Sequence, residues 1–339
     1  MNNKFRIRNR NIGIGAHVFV IADIGANHNG DLLQAKKLIR LAVSCGVDAV
    51  KFQSYRADHF ISKKYNSDGY NLITKNQMPL GWNKILKDYC EEKGVLFMTT
   101  PFDTPMVDYL EKLKVACYKI ASCDITFVRL LRRVAETGKP VILSTGGSSM
   151  DEISNAMQIF RKARNNMVVL LHAVVNYPCD YKEINLRFMP ELGKKFSTLY
   201  GLSDHSPGIE VGIAAAVLGA KVIEKHFTED RRQKGPDHAC SLEPEEMEYL
   251  VRSIRNVEES MGKSVKKINP TEKTRMKRAR RGIYADGNIK KGDFITENNI
   301  LELRPKSNVG AGEIDCIVGV KAKKDIKKGD KIHKADLLL

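Results

Sequence analysis

The chain has 339 residues, 42% of them hydrophobic, and its 56 Lys and Arg exceed its 40 Asp and Glu to give a net charge of +16. That length can bury a large core and still leave room for a small second domain, and no apolar stretch of about 20 residues offers a membrane-spanning helix. Seven cysteines with no Cys-x-x-Cys pair point to a reducing, cytoplasmic location, and the charged N-terminus reads as no signal peptide.

Apolar, β-branched runs recur near 18–24, 47–52, 95–100, 117–121, 140–145, 168–173, 198–203 and 221–227. Segments of helical period lie between them, including Leu32 to Ser44, Trp82 to Lys93, Thr104 to Leu113, Ser149 to Lys162 and a small-residue stretch from Gly208 to Ala220. Roughly eight strand–helix repeats over about 250 residues predict an α/β protein built as a (β/α)8 TIM barrel. An open doubly wound sheet is the alternative, but no Gly-x-Gly-x-x-Gly follows the first strand. In closed parallel barrels the chemistry sits at the C-terminal ends of the strands.

Polar residues gather at those ends. In chain order they are Asp23 to His28, Lys51-Phe52-Gln53, Thr99-Thr100-Pro101, Lys119 to Asp124, Ser144-Thr145-Gly146-Gly147, and Asn176-Tyr177-Pro178 after His172. Lysines inside apolar strands are costly unless an anion meets them. Lys51 and Lys119, with hydroxyls at Thr100, Ser122, Ser144 and Ser203, are therefore expected to form an anion cradle. His205 and His226 close neighbouring strands and can share one divalent ion, with the Gly235-Pro236-Asp237-His238 loop supplying a carboxylate nearby. Such a donor set leaves open coordination positions, which is a catalytic arrangement. Manganese is the expected ion, although cobalt, zinc and iron suit the same ligands.

The barrel is expected over 1–268. Residues 269–281 read as a basic linker within the Lys- and Arg-rich stretch Lys263 to Arg281, and 282–339 as a small β-rich module. Ile289-Lys290-Lys291-Gly292-Asp293 recurs as Ile326-Lys327-Lys328-Gly329-Asp330, each with Lys-Gly-Asp as its turn. The basic stretch invites a nucleic-acid reading, but it has no interleaved aromatics and no nucleic-acid motif, so nucleic acid is not expected as a partner.

These motifs, in this order, resemble the sialic acid synthase family of N-acetylneuraminate, legionaminate and pseudaminate synthases. The matching stretches are Asp-Ile-Gly-Ala-Asn-His at 23–28, Lys-Phe-Gln, Thr-Pro-Phe, Tyr118 to Ser122, Leu143 to Gly146, Asn176-Tyr177-Pro178, Gly201 to His205, Glu224 to Phe227 and Gly235-Pro236-Asp237. The resemblance implies condensation of phosphoenolpyruvate with the open-chain aldehyde of an N-acyl hexosamine, such as N-acetylmannosamine, to a nine-carbon 2-keto sugar acid with release of phosphate. It implies His205 and His226 as metal ligands, and Lys51, Thr100, Lys119, Ser122, Ser144 and Ser203 around phosphoenolpyruvate. Gln53, Asp124, Asn176, Tyr177 and Asp237 would face the sugar, with Asp23, Lys51, Lys119 and Asp237 catalytic. The tail resembles the family's antifreeze-like (SAF) domain. By the same resemblance Arg304, before Pro305, would reach the sugar in the partner subunit's barrel, implying a domain-swapped homodimer.

The chain departs from the family's usual residues at three places. Asp23 and Asp124 stand where Glu is usual, and Val175 where Asn or Ser is common. A 6-deoxy diacetamido hexose, as in legionaminate or pseudaminate synthesis, is the alternative substrate. Another metal-dependent aldolase or keto-acid synthase is the rival enzyme, and a non-catalytic carbohydrate- or nucleic-acid-binding protein is the rival outside catalysis.

Overall fold

The computed structural model of the protein describes residues 4–339. The chain divides into two compact units, Met1–Gly262 and Lys263–Leu339.

The first unit opens with an antiparallel hairpin, β1 (Lys4–Ile7) and β2 (Arg10–Gly13). Eight parallel strands follow: β3 (Phe19–Gly25), β4 (Ala49–Ser54), β5 (Leu96–Pro101), β6 (Tyr118–Ile120), β7 (Val141–Ser144), β8 (Val168–Ala173), β9 (Leu199–Asp204) and β10 (Val222–His226). Their order is β5-β4-β3-β10-β9-β8-β7-β6, and the two end strands, β5 and β6, pack against each other. The sheet therefore curls into the (β/α)8 TIM barrel that the alternating pattern predicts.

Helices α1 (Leu32–Ser44), α2 (Ala57–Phe60), α3 (Ser67–Asn76), α4 (Trp82–Glu92), α5 (Thr104–Lys112), α6 (Val128–Glu136), α7 (Met150–Lys162), α8 (Phe188–Phe196), α9 (Glu210–Val217) and α10 (Pro244–Ser260) connect the strands or follow the last. Capping explains several starts. The Asp31 side chain accepts from Leu33 N, Asp103 from Met106 N, and Ser149 with Glu152 forms a reciprocal capping box at α7. Helix α9 begins at Glu210, later than the expected Gly208, because Gly208 has φ +67° and lies outside the right-handed helical region.

Strand periodicity sorts the side chains into two cores. Val20, Ala22, Val50, Phe52, Tyr118, Ile120 and Leu143 face outward and pack with the apolar sides of the helices. Phe19, Ile21, Ala49, Leu96, Met98, Ile142, Val169, Leu171, Leu199 and Val222 form a separate inner cluster. The hairpin contributes Phe5, Ile7 and Ile12 to it and so closes the N-terminal end of the barrel. The lumen is thus apolar at its base. The next inward positions along the same strands are Asp23, Lys51, Thr100, Lys119, Ser144, Ser203 and Glu224, so polarity is confined to the C-terminal mouth.

In the second unit a helix, α11 (Pro270–Ala279), begins at an Asn269 cap and is exposed along its length. It is followed by the antiparallel pair β11 (Gly282–Ala285) and β12 (Ile300–Leu303). The two copies of the sequence repeat pair with each other. Ile289 and Ile326 exchange backbone hydrogen bonds of 2.8 Å each way, and both enter a core with Ile283, Ile295, Val309, Ile317 and Ile332.

Candidate active site

Four ionisable side chains sit together at the barrel mouth, each from a different strand. Asp23 Oδ2 accepts from Lys51 Nζ at 2.8 Å. Glu224 Oε1 lies 3.9 Å from Lys51 Nζ and 3.5 Å from Lys119 Nζ. Lys119 Nζ donates to Ser144 Oγ at 2.7 Å and to the Ile120 carbonyl at 3.1 Å. Ser203 Oγ donates to Glu224 Oε1 at 3.0 Å. All four charged groups are buried, and two ammoniums facing two carboxylates remove the net charge that burial would otherwise penalise.

The environment drives these titrations apart. Burial alone would lower the Lys51 pKa, but Asp23 and Glu224 outweigh it and hold the ammonium above its usual range. Lys119 is pulled down, first by burial against the opposing pull of Glu224, with the like charge of Lys51 adding to the fall. Burial would raise Asp23, yet Lys51 and His226 overcome it and keep the carboxyl low. Asp124 differs. Burial raises its carboxyl to about 6, and its Oδ2 has no hydrogen-bond partner among the described residues.

Two imidazoles lie beside the charged group. The rings of His205 and His226 are 5.5 Å apart, and Tyr177 packs on His205 at 4.1 Å and edge-on to His226 at 5.8 Å. His205 Nδ1 is 2.7 Å from the Val174 carbonyl, so it carries the proton and donates, leaving Nε2 unprotonated, with Ser203 Oγ 3.4 Å away. Burial, then the neighbouring His226, lowers the His205 pKa to about 3, which keeps the ring neutral. His226 Nδ1 is buried with no partner among the described residues, and Nε2 is 3.6 Å from Asp23 Oδ2. A neutral ring with an unprotonated nitrogen beside a second ring with an orphaned nitrogen fits a divalent cation. Among the described residues no third His, Cys, Asp or Glu joins them in ligand geometry.

The remaining expected residues fall as follows. Gln53, Asp237 and His226 all lie close around Gly25. A Cβ on Gly25 would meet Asp237 Oδ2 at 2.8 Å, and its φ of +51° already favours glycine. Thr100 pairs in register with Gln53. Ser122 Oγ accepts from Gly146 N at 3.0 Å. Asn176 does not join the group by any hydrogen bond; its amide donates to Glu183 Oε2 at 2.9 Å on an exposed stretch. Val175 packs over Gly146 instead, so the apolar departure at that position has no polar substitute from Asn176. Arg304 is an exposed residue of the second unit. His172 is satisfied by the Ile184 carbonyl and packs on Phe188. His238 bridges Thr228 Oγ1 and Asn29 Oδ1, bracing the loop that carries Asp237.

Glu224 is the residue that sequence reasoning passed over. It lies two positions before His226 on β10, so strand alternation puts it on the same inward face.

A barrel with a buried, charge-balanced cluster and paired imidazoles at its C-terminal mouth has the architecture of a (β/α)8 enzyme. A model of the NeuB family matches residues 38–266, and the chain belongs to that family. An uncharacterized protein of Methanocaldococcus jannaschii is 42% identical over 99% of both chains. The N,N'-diacetyllegionaminic acid synthase of Campylobacter jejuni is 38% identical over 93% of this chain and 98% of its own. The crystal structure of N-acetylneuraminic acid synthetase from Leptospira borgpetersenii superposes with a TM-score of 0.75 at 35% identity, covering 80% of this chain and 95% of that one.

Proposed function

We propose that the protein is a nonulosonic acid synthase that condenses phosphoenolpyruvate with an open-chain N-acyl hexosamine, yielding a nine-carbon 2-keto sugar acid and inorganic phosphate. The observation that carries this reading is the pairing of Lys51 with Asp23 and of Lys119 with the Ser144 hydroxyl, beside the His205 and His226 rings, in one buried mouth. Two ammoniums and the Ser144 hydroxyl suit a phosphate and a carboxylate on one small molecule. A divalent ion, manganese by expectation, would be held by His205 and His226 and would polarise the sugar's aldehyde as a Lewis acid.

The chain's own groups would do the rest. Lys51 and Lys119 fix the phosphoenolpyruvate so that its methylene carbon faces the aldehyde, and position accounts for much of the rate. A carbon–carbon bond forms there, and positive charge develops at the carbon bearing the phosphate ester. Asp23 and Glu224 offer negative charge to that carbon. Water then adds to it and phosphate departs. The Asp124 carboxyl, whose burial lets it hold a proton near neutral pH, suits proton transfer in that step. Gln53, Tyr177 and Asp237 would orient the sugar. By the family resemblance the second unit acts as an antifreeze-like module, and Arg304 completes the sugar site of the partner in a swapped homodimer.

The substrate class is tested by product mass. The protein is given phosphoenolpyruvate with N-acetylmannosamine or with a 6-deoxy diacetamido hexose, and product is sought in each. The resemblance to a legionaminic acid synthase favours the second sugar. A product from N-acetylmannosamine alone would exclude that substrate, and chelation that leaves turnover intact would exclude the metal.

A further inference from the structure

Behind the two imidazoles lies a second buried ion pair, which the proposed reaction does not use. Lys225 and Asp204 sit in register on β10 and β9. They alternate with Glu224, His226, Ser203 and His205, so they point away from the lumen. Lys225 is fully buried, and its Nζ donates to Asp204 Oδ2 at 2.9 Å and to the Ser206 carbonyl. Asp204 Oδ1 accepts from Ser206 N at 2.9 Å and from Ser206 Oγ at 2.6 Å.

His205 is the residue between Asp204 and Ser206. The ion pair therefore holds the chain on both sides of it, and ties that chain to the residue preceding His226. The His205 carbonyl is also fixed, by Cys179 N at 2.9 Å, and its ring by the Val174 carbonyl at 2.7 Å. A buried ion pair adds little net stability, because desolvation offsets its attraction, and an apolar pair of similar volume often does as well. What it supplies here is a directional tether across two strand ends.

We propose that Lys225 is a positioning residue: with Asp204 and Ser206 it forms a clamp that fixes the His205 ring beside His226, and so sets the spacing of the two imidazoles before any ligand arrives. The proposal rests on the metal reading above only for what the imidazoles then bind. Groups that orient metal-binding histidines typically cost about ten- to a hundredfold in affinity when removed.

The test uses the full-length double variant Asp204→Asn/Lys225→Met, which removes both charges and leaves no bare one buried. Histidine-selective NMR of the metal-free protein reads the His205 Nδ1–H held by Val174, and calorimetry reads manganese affinity. The clamp predicts a double variant that melts near the wild type, yet shows rapid exchange of that proton and binds manganese about ten- to a hundredfold more weakly. An unchanged proton signal with unchanged affinity overturns the proposal. A changed proton signal in a protein whose wild type binds no manganese supports the clamp and overturns the metal reading instead. Should the double variant fail to fold, Ser206→Ala decides. It keeps the ion pair and loses only the 2.6 Å bond, so a severalfold loss of manganese affinity supports the clamp and no loss overturns it.

Discussion

Replacing Glu224 by Gln tests the charge balance of the mouth. The substitution keeps size and leaves an oxygen for the Ser203 hydroxyl, but turns a group of two ammoniums and two carboxylates into one with an excess positive charge. Lys51 keeps Asp23 at 2.8 Å, whereas Lys119 is left with only the Ser144 hydroxyl and the Ile120 carbonyl. At the 3.5 Å separation of Lys119 and Glu224, the lost attraction is about 5 kcal/mol for an effective dielectric of about 20. Variants that strip one partner from a buried pair lose about 3–5 kcal/mol, so a loss of about 3 kcal/mol or more is expected in urea unfolding without added anion. Phosphate or phosphoenolpyruvate should restore much of it by supplying the missing negative charge, and should stabilise the variant more than the wild type. Equal unfolding midpoints and equal anion dependence for the two proteins would refute the reasoning.

Lys51→Ala and Lys119→Ala should each weaken phosphoenolpyruvate binding by about ten- to a hundredfold, the value of a charge-assisted hydrogen bond, while sugar binding changes less; calorimetry reads both. Asp124 has a folded pKa raised to about 6 from an ordinary value of 3.8, so its contribution to stability falls as pH rises through that interval. Asp124→Asn should accordingly stabilise the protein by about 1–3 kcal/mol at pH 8, with no gain below pH 3.8, as read by urea unfolding at the two extremes. If Arg304 serves the partner's barrel, a one-to-one random mixture of His205→Ala and Arg304→Ala subunits should recover about a quarter of wild-type turnover, because about half of the dimers are mixed and each of those holds one intact site of two. Mixed dimers as inactive as either parent would reject that arrangement.

The eight barrel strands were legible because each is a short β-branched run, and α1 was legible to the residue because its apolar stripe ends where the period ends. The N-terminal hairpin was not. Its apolar residues alternate over only four positions, among Lys4, Arg6 and Arg10, and that is too short a pattern to stand out. Helix α3 was also missed, since it buries no residue and carries Gly69 within it. At the site, the rule that a lysine in an apolar strand needs an anion picked out Lys51 and Lys119. It applied equally to Lys225, whose anion is on the outward face, and the parity of Glu224 with His226 was likewise available. The diversion of the Asn176 amide to Glu183 was not readable, because it depends on how the loop after β8 folds back on itself.

Release of phosphate from phosphoenolpyruvate by the purified protein, measured with and without an N-acyl hexosamine, tests the central claim most directly. The account predicts phosphate only when the sugar is present, in equal amount to a product heavier than the sugar by one pyruvate unit. Phosphate released without sugar, or none released with either sugar class in the presence of manganese, would contradict it.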